Sequence, residues 1–214
     1  MKEQRLLFNF APVTYVHDSW FESLPQGQVC RHLATKSSGR SSVSQHLLEN
    51  RGISKKFFYD FKEPRSRLAL LETKYLEDLF LYVGALLRNA EFRNELDGKR
   101  ILTLRKFLGP SVLEYATKRA PFAGPVPDFH YEPDIDGNPR LRLIQIGAVY
   151  SISPRASSDP AYLQRLALKL PQRISTSLLT DLPHSAGEPE DTSLPKITRR
   201  IVREMLPKWL PLFA

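Results

Sequence analysis

The side chains best able to do chemistry in this sequence are one cysteine and five histidines. Cys30 and His32 form a Cys-x-His pair, and His17 and His46 lie on either side of it in the sequence. A structural zinc site usually needs four ligands at paired spacings, and a single cysteine does not supply that pattern. No motif around Cys30 would activate it as a nucleophile. We therefore expect no metal site and no catalytic residue.

Two other chemical motifs are incomplete. Asp134, Asp136 and Asn138 resemble the start of a calcium-binding loop, but glycine then falls at loop position 4 instead of 6, and position 12 is Gln145 instead of glutamate. The glycines are scattered and no Gly-Lys-Ser/Thr occurs, so a phosphate-binding loop is not indicated. The sequence predicts no cofactor site and no enzymatic activity.

Contact surfaces are a better place to look for function, and the clearest one lies at residues 196–206. At 100° per residue, the apolar side chains of this segment fall on one half of a helical wheel and Lys196, Arg199, Arg200 and Arg203 fall on the other. The pattern predicts an amphipathic helix that Pro207 ends. A solvated face, a protein-docking face and a face for lipid or nucleic acid all fit the basic half.

The residues after Pro207 are unusually apolar for a chain end, with Trp209, Leu210, Leu212 and Phe213. Chain ends are normally polar and frayed. This tail must therefore dock, either on the protein's own core or on a partner. We take Arg199, Arg200, Arg203 and Trp209 as the candidate partner-binding residues.

The length and composition of the sequence are typical of a soluble globular protein. The chain has 214 residues, of which 42% are hydrophobic and 25% charged, and a formal net charge of +8. Its longest nearly unbroken apolar run, Leu79 to Leu87, is far shorter than the ~20 residues that span a membrane. Neither a secretory segment nor a pair of cysteines is present, which favours a reducing cytoplasm. The excess of basic residues also suits a DNA-binding regulator.

Helical periodicity dominates the elements that would position these residues. Apolar side chains recur at steps of three and four from 65 to 90, which predicts one central helix of about seven turns. A second helix is expected from Ile101 to Leu108, with Gly109 as its cap and Pro110 in the first turn of the next helix. A further helix is expected from Tyr162 to Leu170. The predicted fold class is mainly α, with residues 1–214 forming a single compact domain.

Three stretches depart from this pattern. Asp-Gly-Asn-Pro at 136–139 favours a turn, so a short β-hairpin near 129–143 is an alternative, and residues 143–152 fit either a helix or a strand. The Ser-rich residues 35–44 and the Pro-rich and acidic residues 181–194 are predicted to be flexible loops.

Several motifs occur in a specific order along nearly the whole chain. They are Leu7-Phe8-x-Phe10-x-Pro12-x-x-Tyr15-x-His17, the Leu79-to-Arg88 helix with its central Gly84, Gly124-Pro125-x-Pro127, Ile144-Gln145-x-Gly147, Leu163-x-x-Leu166-x-Leu168-x-Leu170-Pro171, and Ile201-Val202-Arg203-x-Met205-Leu206-Pro207 with Leu212-Phe213. Their order and spacing resemble the SctK family of bacterial type III secretion, the YscK and PscK type of sorting-platform proteins.

The resemblance implies a non-enzymatic adaptor. Such a protein would link the cytoplasmic domain of the inner-membrane ring protein SctD to SctQ, the pod protein of the platform that sorts secretion substrates. It would lie in the cytoplasm, peripheral to the inner membrane and not inserted in it, and would bind no cofactor and no nucleic acid. No binding residue of the family can be transferred to this sequence. The alternative function from a different class is the basic, helical DNA-binding regulator.

Overall fold

The structure is a computed structural model that describes residues 2–127, 129–133, 135, 137–152, 157–181 and 194–213. Within these residues the chain is mainly helical and contains no strand, so the predicted mainly α class is confirmed and the hairpin near 129–143 is not. The α-helices are α1 (Lys2–Phe10), α2 (Ser19–Ser23), α3 (Gly27–Thr35), α4 (Ser37–Asn50), α5 (Thr73–Leu87), α6 (Asn89–Arg93), α7 (Gly98–Leu108), α8 (Pro110–Glu114), α9 (Pro139–Ser151), α10 (Pro160–Leu168), α11 (Gln172–Asp181) and α12 (Lys196–Met205). Shorter 3-10 segments span Pro12–Thr14, Ser66–Leu70, Ala120–Phe122 and Pro207–Phe213, and a π-helical turn spans Tyr115–Arg119.

The chain divides into two compact units. Unit 1 combines Met1–Thr73 with Ile152–Ser193, and unit 2 combines Lys74–Ser151 with Leu194–Ala214. Each unit is thus built from two segments that are far apart in the sequence. A single domain over residues 1–214 stays a prediction.

Unit 1 is organised around a cluster of buried aromatic rings. The Phe8 ring lies 5.6 Å from that of Phe61 and 6.0 Å from those of Tyr15 and Tyr162, and Phe58 packs 4.8 Å from Tyr162. Offset and edge contacts of this kind add to the hydrophobic gain from burying such large side chains. Two aromatic residues of the first sequence motif, Phe8 and Tyr15, thus belong to the core, whereas Phe10 of the same motif is exposed.

The polar groups at this core are satisfied by long-range bonds. Asn9 is fully buried, and its side chain donates to the carbonyl of Phe58 at 2.8 Å and accepts from the amide of Phe58 at 2.9 Å. The buried Arg165 donates to the carbonyls of Asn9 and Ile53 at 3.3 Å and of Ala161 at 3.0 Å. Burial lowers the pKa of Arg165. These bonds fix the irregular segment after α4 to α1 and α10, because an unsatisfied buried polar group would be costly.

The prediction of a loop at residues 35–44 is wrong. Only Lys36, in an extended conformation, separates α3 from α4, and the serine-rich stretch forms the first turns of α4. The apolar anchors Val43, Leu47 and Leu48 lie farther along this helix and are buried. Gly39 lies so close to α3 that an added Cβ would be 2.5 Å from the Leu33 carbonyl oxygen. The composition of 35–44 is loop-like, but packing of the later turns extends the helix back through it. The predicted loop at 181–194 lies almost entirely outside the described residues.

The prediction of one continuous seven-turn helix over 65–90 is also wrong, because the helix is interrupted twice. Ser66–Leu70 is a 3-10 segment, Leu71 is extended, and α5 begins only at Thr73. A second break falls at Arg88, before α6. Two hydrogen bonds with other segments stabilise the first break. The ammonium group of Lys169 donates to the Leu71 carbonyl, and the Thr73 hydroxyl donates to the Tyr15 carbonyl at 2.5 Å. The buried apolar run from Leu79 to Leu86 is confirmed as the centre of α5.

Residues 139–151 form a helix because of the chemistry at its start. Asn138 accepts from the amides of Arg140 at 3.1 Å and Leu141 at 3.2 Å, and Pro139 occupies the first helical position. A side-chain cap followed by proline is typical of helix N-termini. Asn138 and Pro139 of the Asp-Gly-Asn-Pro sequence therefore start a helix instead of forming a hairpin turn. Proline also occupies the first position of α8, where Gly109 with φ 82° ends α7 and Pro110 starts α8 as predicted.

Segment 129–133 is held on unit 2 by charges instead of by strand pairing. Glu132 accepts from Arg88 at 2.5 Å and from Arg142 at 2.7 Å, and Arg142 also pairs with Glu91 at 3.2 Å. The hydrogen bond from Arg142 is the main cause that lowers the pKa of Glu132. Gln145 donates to the Tyr131 hydroxyl at 2.6 Å. These bonds connect the segment to Arg88, between α5 and α6, and to α9.

Lys169 should give unit 1 a specific pH dependence of stability. Burial lowers its pKa from 10.5 to about 7, with Glu72 acting in the opposite direction. Between about pH 7 and pH 10.5 the unfolded chain therefore binds more protons than the folded chain, so the free energy of unfolding should rise with pH. We expect it to rise by on the order of 4 kcal/mol relative to a Lys169→Met variant, which lacks the titrating group.

Urea unfolding of both proteins at several pH values across this window is the measurement. Any part of the lost bond to Leu71 that does not change with the protonation of Lys169 shifts all values equally and cancels from the slope. A difference between the two proteins that stays constant with pH would contradict the prediction.

Candidate partner-binding surface

The amphipathic pattern at 196–206 is confirmed as α12, and its apolar half packs into unit 2. Ile197, Ile201 and Val202 are buried, Ile201 and Val202 completely. The one polar group on this face, Thr198, is also buried, and its hydroxyl shares a hydrogen bond of 2.9 Å with that of Ser151 at the end of α9. Because this bond satisfies both hydroxyls, the face contains no orphaned polar side chain that would favour its exposure.

The basic half of α12 is divided into two parts. Lys196, Arg199 and Arg203 are exposed and form no ion pair with any described residue. Arg200 is half-buried, pairs with Glu204 at 2.7 Å and donates to the carbonyl of Phe122 at 3.5 Å. Arg199 and Arg203 are four residues apart and therefore lie on the same side of the helix. They present two positive charges to solvent, whereas Arg200 has a structural role.

Beneath Arg200 lies a buried tyrosine. Burial raises the pKa of Tyr115 to about 12; Glu204 raises it as well, and Arg200 and Arg119 lower it. The phenol therefore stays neutral at physiological pH.

The tail after α12 docks on the core of its own unit, which answers the question that the sequence left open. Leu212 and Phe213 are each 7% exposed. Trp209 is half-buried, with its ring 5.8 Å from that of Tyr75 on α5, and its indole nitrogen is buried without a hydrogen-bond partner. Lys208 donates to the Tyr75 hydroxyl at 2.7 Å. Trp209 is therefore already largely packed within unit 2, so Arg199 and Arg203 are the more accessible of the predicted binding residues.

An exposed aromatic residue near this surface was not predicted. Phe122 is 82% exposed, and its carbonyl accepts from Arg200, which brings it next to the basic face. It ends the three-residue 3-10 segment Ala120–Phe122, and so short a segment carries no periodic signal. The surface thus combines two unpaired guanidinium groups with one exposed ring, a pairing common in protein interfaces.

The residues considered for chemistry do not converge. Within the part of the chain that the structure describes, no group of three or more His, Cys, Asp or Glu side chains could hold a metal ion. Cys30 is half-buried on α3, and His17 contacts the Ser19 hydroxyl at 2.8 Å. Asp134 and Asp136 lie outside the described residues. Among the described helices, none is long and apolar enough to cross a membrane.

The chain was compared with known proteins. No curated protein and no solved structure matches it significantly. A family model described as YOP proteins translocation protein K (YscK) matches residues 5–210. The match covers the whole chain except a few residues at each end, including α12 and most of its tail, and it confirms the resemblance drawn from the sequence motifs. The chain belongs to the YscK family.

Proposed function

We propose that this protein is a non-enzymatic adaptor of the type III secretion sorting platform. Membership of the YscK family makes it a type III secretion protein. The adaptor would link the cytoplasmic domain of the ring protein SctD to the pod protein SctQ, in the cytoplasm beneath the inner membrane. The observation that supports this role best is α12, whose apolar face is buried while Arg199 and Arg203 remain exposed and unpaired.

Electrostatics explains why such a face suits an adaptor. Exposed charges add little to the stability of a fold, but they steer association and select partners of opposite charge. Lys196, Arg199 and Arg203 give α12 a fixed array of positive charge on a rigid helix. An acidic surface on the ring or pod protein would complement it.

The alternative of a DNA-binding regulator has less support. Helices α7 and α8 are joined like a helix-turn-helix, but Val112 and the residues that follow α8, Tyr115 and Ala116, are buried. A recognition helix must present base-reading side chains near its N-terminus. The exposed N-terminal residues of α8, Pro110 and Ser111, include no Arg, Lys, Asn or Gln side chain to read bases.

Co-purification tests the proposed function. The tagged full-length chain would be isolated from its native bacterium under conditions in which the secretion apparatus is expressed, and bound proteins would be identified by mass spectrometry. We expect ring and pod proteins to be enriched over an untagged control. Absence of both, together with a salt-dependent shift of mixed DNA by the purified protein, would favour the regulator instead.

A further inference from the structure

Unit 1 contains a cavity lined by both apolar and polar side chains. Its volume is about 260 Å³, and it lies where α2, the end of α4 and the junction of α10 with α11 meet. Leu24, Leu47 and Leu168 are the aliphatic part of its lining, and Asn50 and Gln172 are among its polar residues. It is lined by residues from both sequence segments of unit 1, so it exists only in the folded unit.

Arg51 lines this cavity with hydrogen-bonding capacity that the protein does not use. Its guanidinium carbon lies 3.9 Å from the centroid of the Trp20 ring, and the indole nitrogen of Trp20 is fixed by the carbonyls of Ala167 at 3.2 Å and Leu170 at 3.0 Å. The guanidinium group donates no hydrogen bond and forms no ion pair with the described residues, and its Nη2 is buried. Burial also lowers the pKa of Arg51. Arginine is normally paired when it is withdrawn from water.

The chemistry of this group points to an oxyanion. A guanidinium presents parallel N–H groups that match the two oxygens of a carboxylate or a phosphate. Stacking on a fixed indole orients the group before a ligand arrives, which lowers the entropic cost of binding.

The rest of the cavity selects between the two oxyanions. Arg51 is the only cationic side chain in its lining, which balances one carboxylate but not a phosphate dianion. The volume is smaller than the ~300–1,000 Å³ typical of sites for small molecules and cofactors, and suits one or two side chains. The leucine wall would accommodate an aliphatic residue next to the acidic one.

We propose that this cavity binds a short acidic segment of another protein, with one Asp or Glu carboxylate paired to Arg51 and an adjacent aliphatic side chain against the leucines. The proposal goes beyond the adaptor function, because its residues all belong to unit 1 and none belongs to α12. A test of this proposal therefore does not depend on whether the basic half of α12 binds a partner.

Tryptophan fluorescence of the full-length protein tests the proposal. Because the chain has two tryptophans, a Trp209→Phe background leaves Trp20, under Arg51, as the only reporter. The probes are two blocked tripeptides, acetyl-Leu-Glu-Leu-amide and acetyl-Leu-Gln-Leu-amide, which differ only in the negative charge. We expect saturable binding of the glutamate peptide and about tenfold weaker binding of the glutamine peptide.

Substitutions of Arg51 complete the experiment. Arg51→Gln should remove the preference for the glutamate peptide. Arg51→Lys should keep only part of that preference, because an ammonium group lacks the two parallel N–H groups of a guanidinium. Thermal melting checks that both variants fold, and the comparison of the two peptides itself needs no substitution at Arg51. Equal affinity for the two peptides, no saturable signal, or inorganic phosphate that binds more tightly than the glutamate peptide would each overturn the proposal.

Discussion

Replacement of both Arg199 and Arg203 by glutamate is expected to abolish binding of the ring or pod protein while leaving the fold nearly unchanged. Both side chains are exposed and unpaired among the described residues, so their reversal removes no contact within unit 2. Against an acidic partner surface, the same change turns attraction into repulsion and should weaken binding on the order of 100-fold or more. Arg200 is left in place because it pairs with Glu204 and donates to Phe122.

Unit 2 offers a matched control for this experiment. Arg105 and Lys106 on α7 are also exposed, and their joint reversal to glutamate changes the net charge of the protein by the same amount. Pull-down with the ring and pod proteins and a secretion assay would be run on both double variants, with melting curves as the test of folding. Retained binding by a folded Arg199→Glu, Arg203→Glu protein would rule out this face, and equal loss in both variants would show an effect of net charge alone.

The second large effect is expected at the crossing of α5 and α9. A Cβ added at Gly84 would lie 2.1 Å from the carbonyl oxygen of Leu143, and one added at Gly147 would lie 1.9 Å from that of Phe80. Each helix thus places a glycine against the backbone of the other. Because backbone atoms cannot move aside as a side-chain end can, we expect Gly147→Ala to destabilise the protein by at least about 3 kcal/mol, and Gly84→Ala by a similar amount.

Urea unfolding measures both changes. The free energy of unfolding of the double variant should fall by less than the sum of the two single decreases, because one separation of the helices relieves both clashes. Gly98→Ala at the start of α7 is the control, because an added Cβ there meets nothing within 4 Å, and it should leave stability within about 0.5 kcal/mol. A loss below about 1 kcal/mol for Gly147→Ala would show that the two helices do not need this close approach.

Some elements could be predicted because all the information lies in adjacent residues. In α12, ten consecutive residues contain both an apolar and a basic face, and Pro207 follows just after the C-cap Leu206. The junction at Gly109 and Pro110 is similar, since positive φ and a proline at a helix start are local requirements of the backbone. Long, strongly patterned segments of this type need no tertiary contact to be recognised.

Other elements depended on contacts that a local pattern does not contain. The serine-rich start of α4 is helical because Val43 and Leu47 are buried farther along, and Gly39 packs on α3. The helical conformation is interrupted between Leu70 and Thr73 although the apolar periodicity of the sequence continues. At this interruption the Leu71 carbonyl accepts a hydrogen bond from Lys169, which lies almost a hundred residues later in the sequence. Propensity is a weak guide where tertiary packing decides.

The same distinction, between features set by local sequence and features set by tertiary contacts, applies to the candidate sites. The sequence by itself determined the family, the helical class and the presence of a basic face on α12, because each is encoded in the order or the period of residues along the chain. Only the tertiary structure decided which of those arginines are accessible, since Arg200 meets Phe122 from a distant segment. It alone also placed Arg51 on Trp20 beside a cavity. Exposure and pairing are properties of residues brought together by folding, and no spacing within a sequence records them.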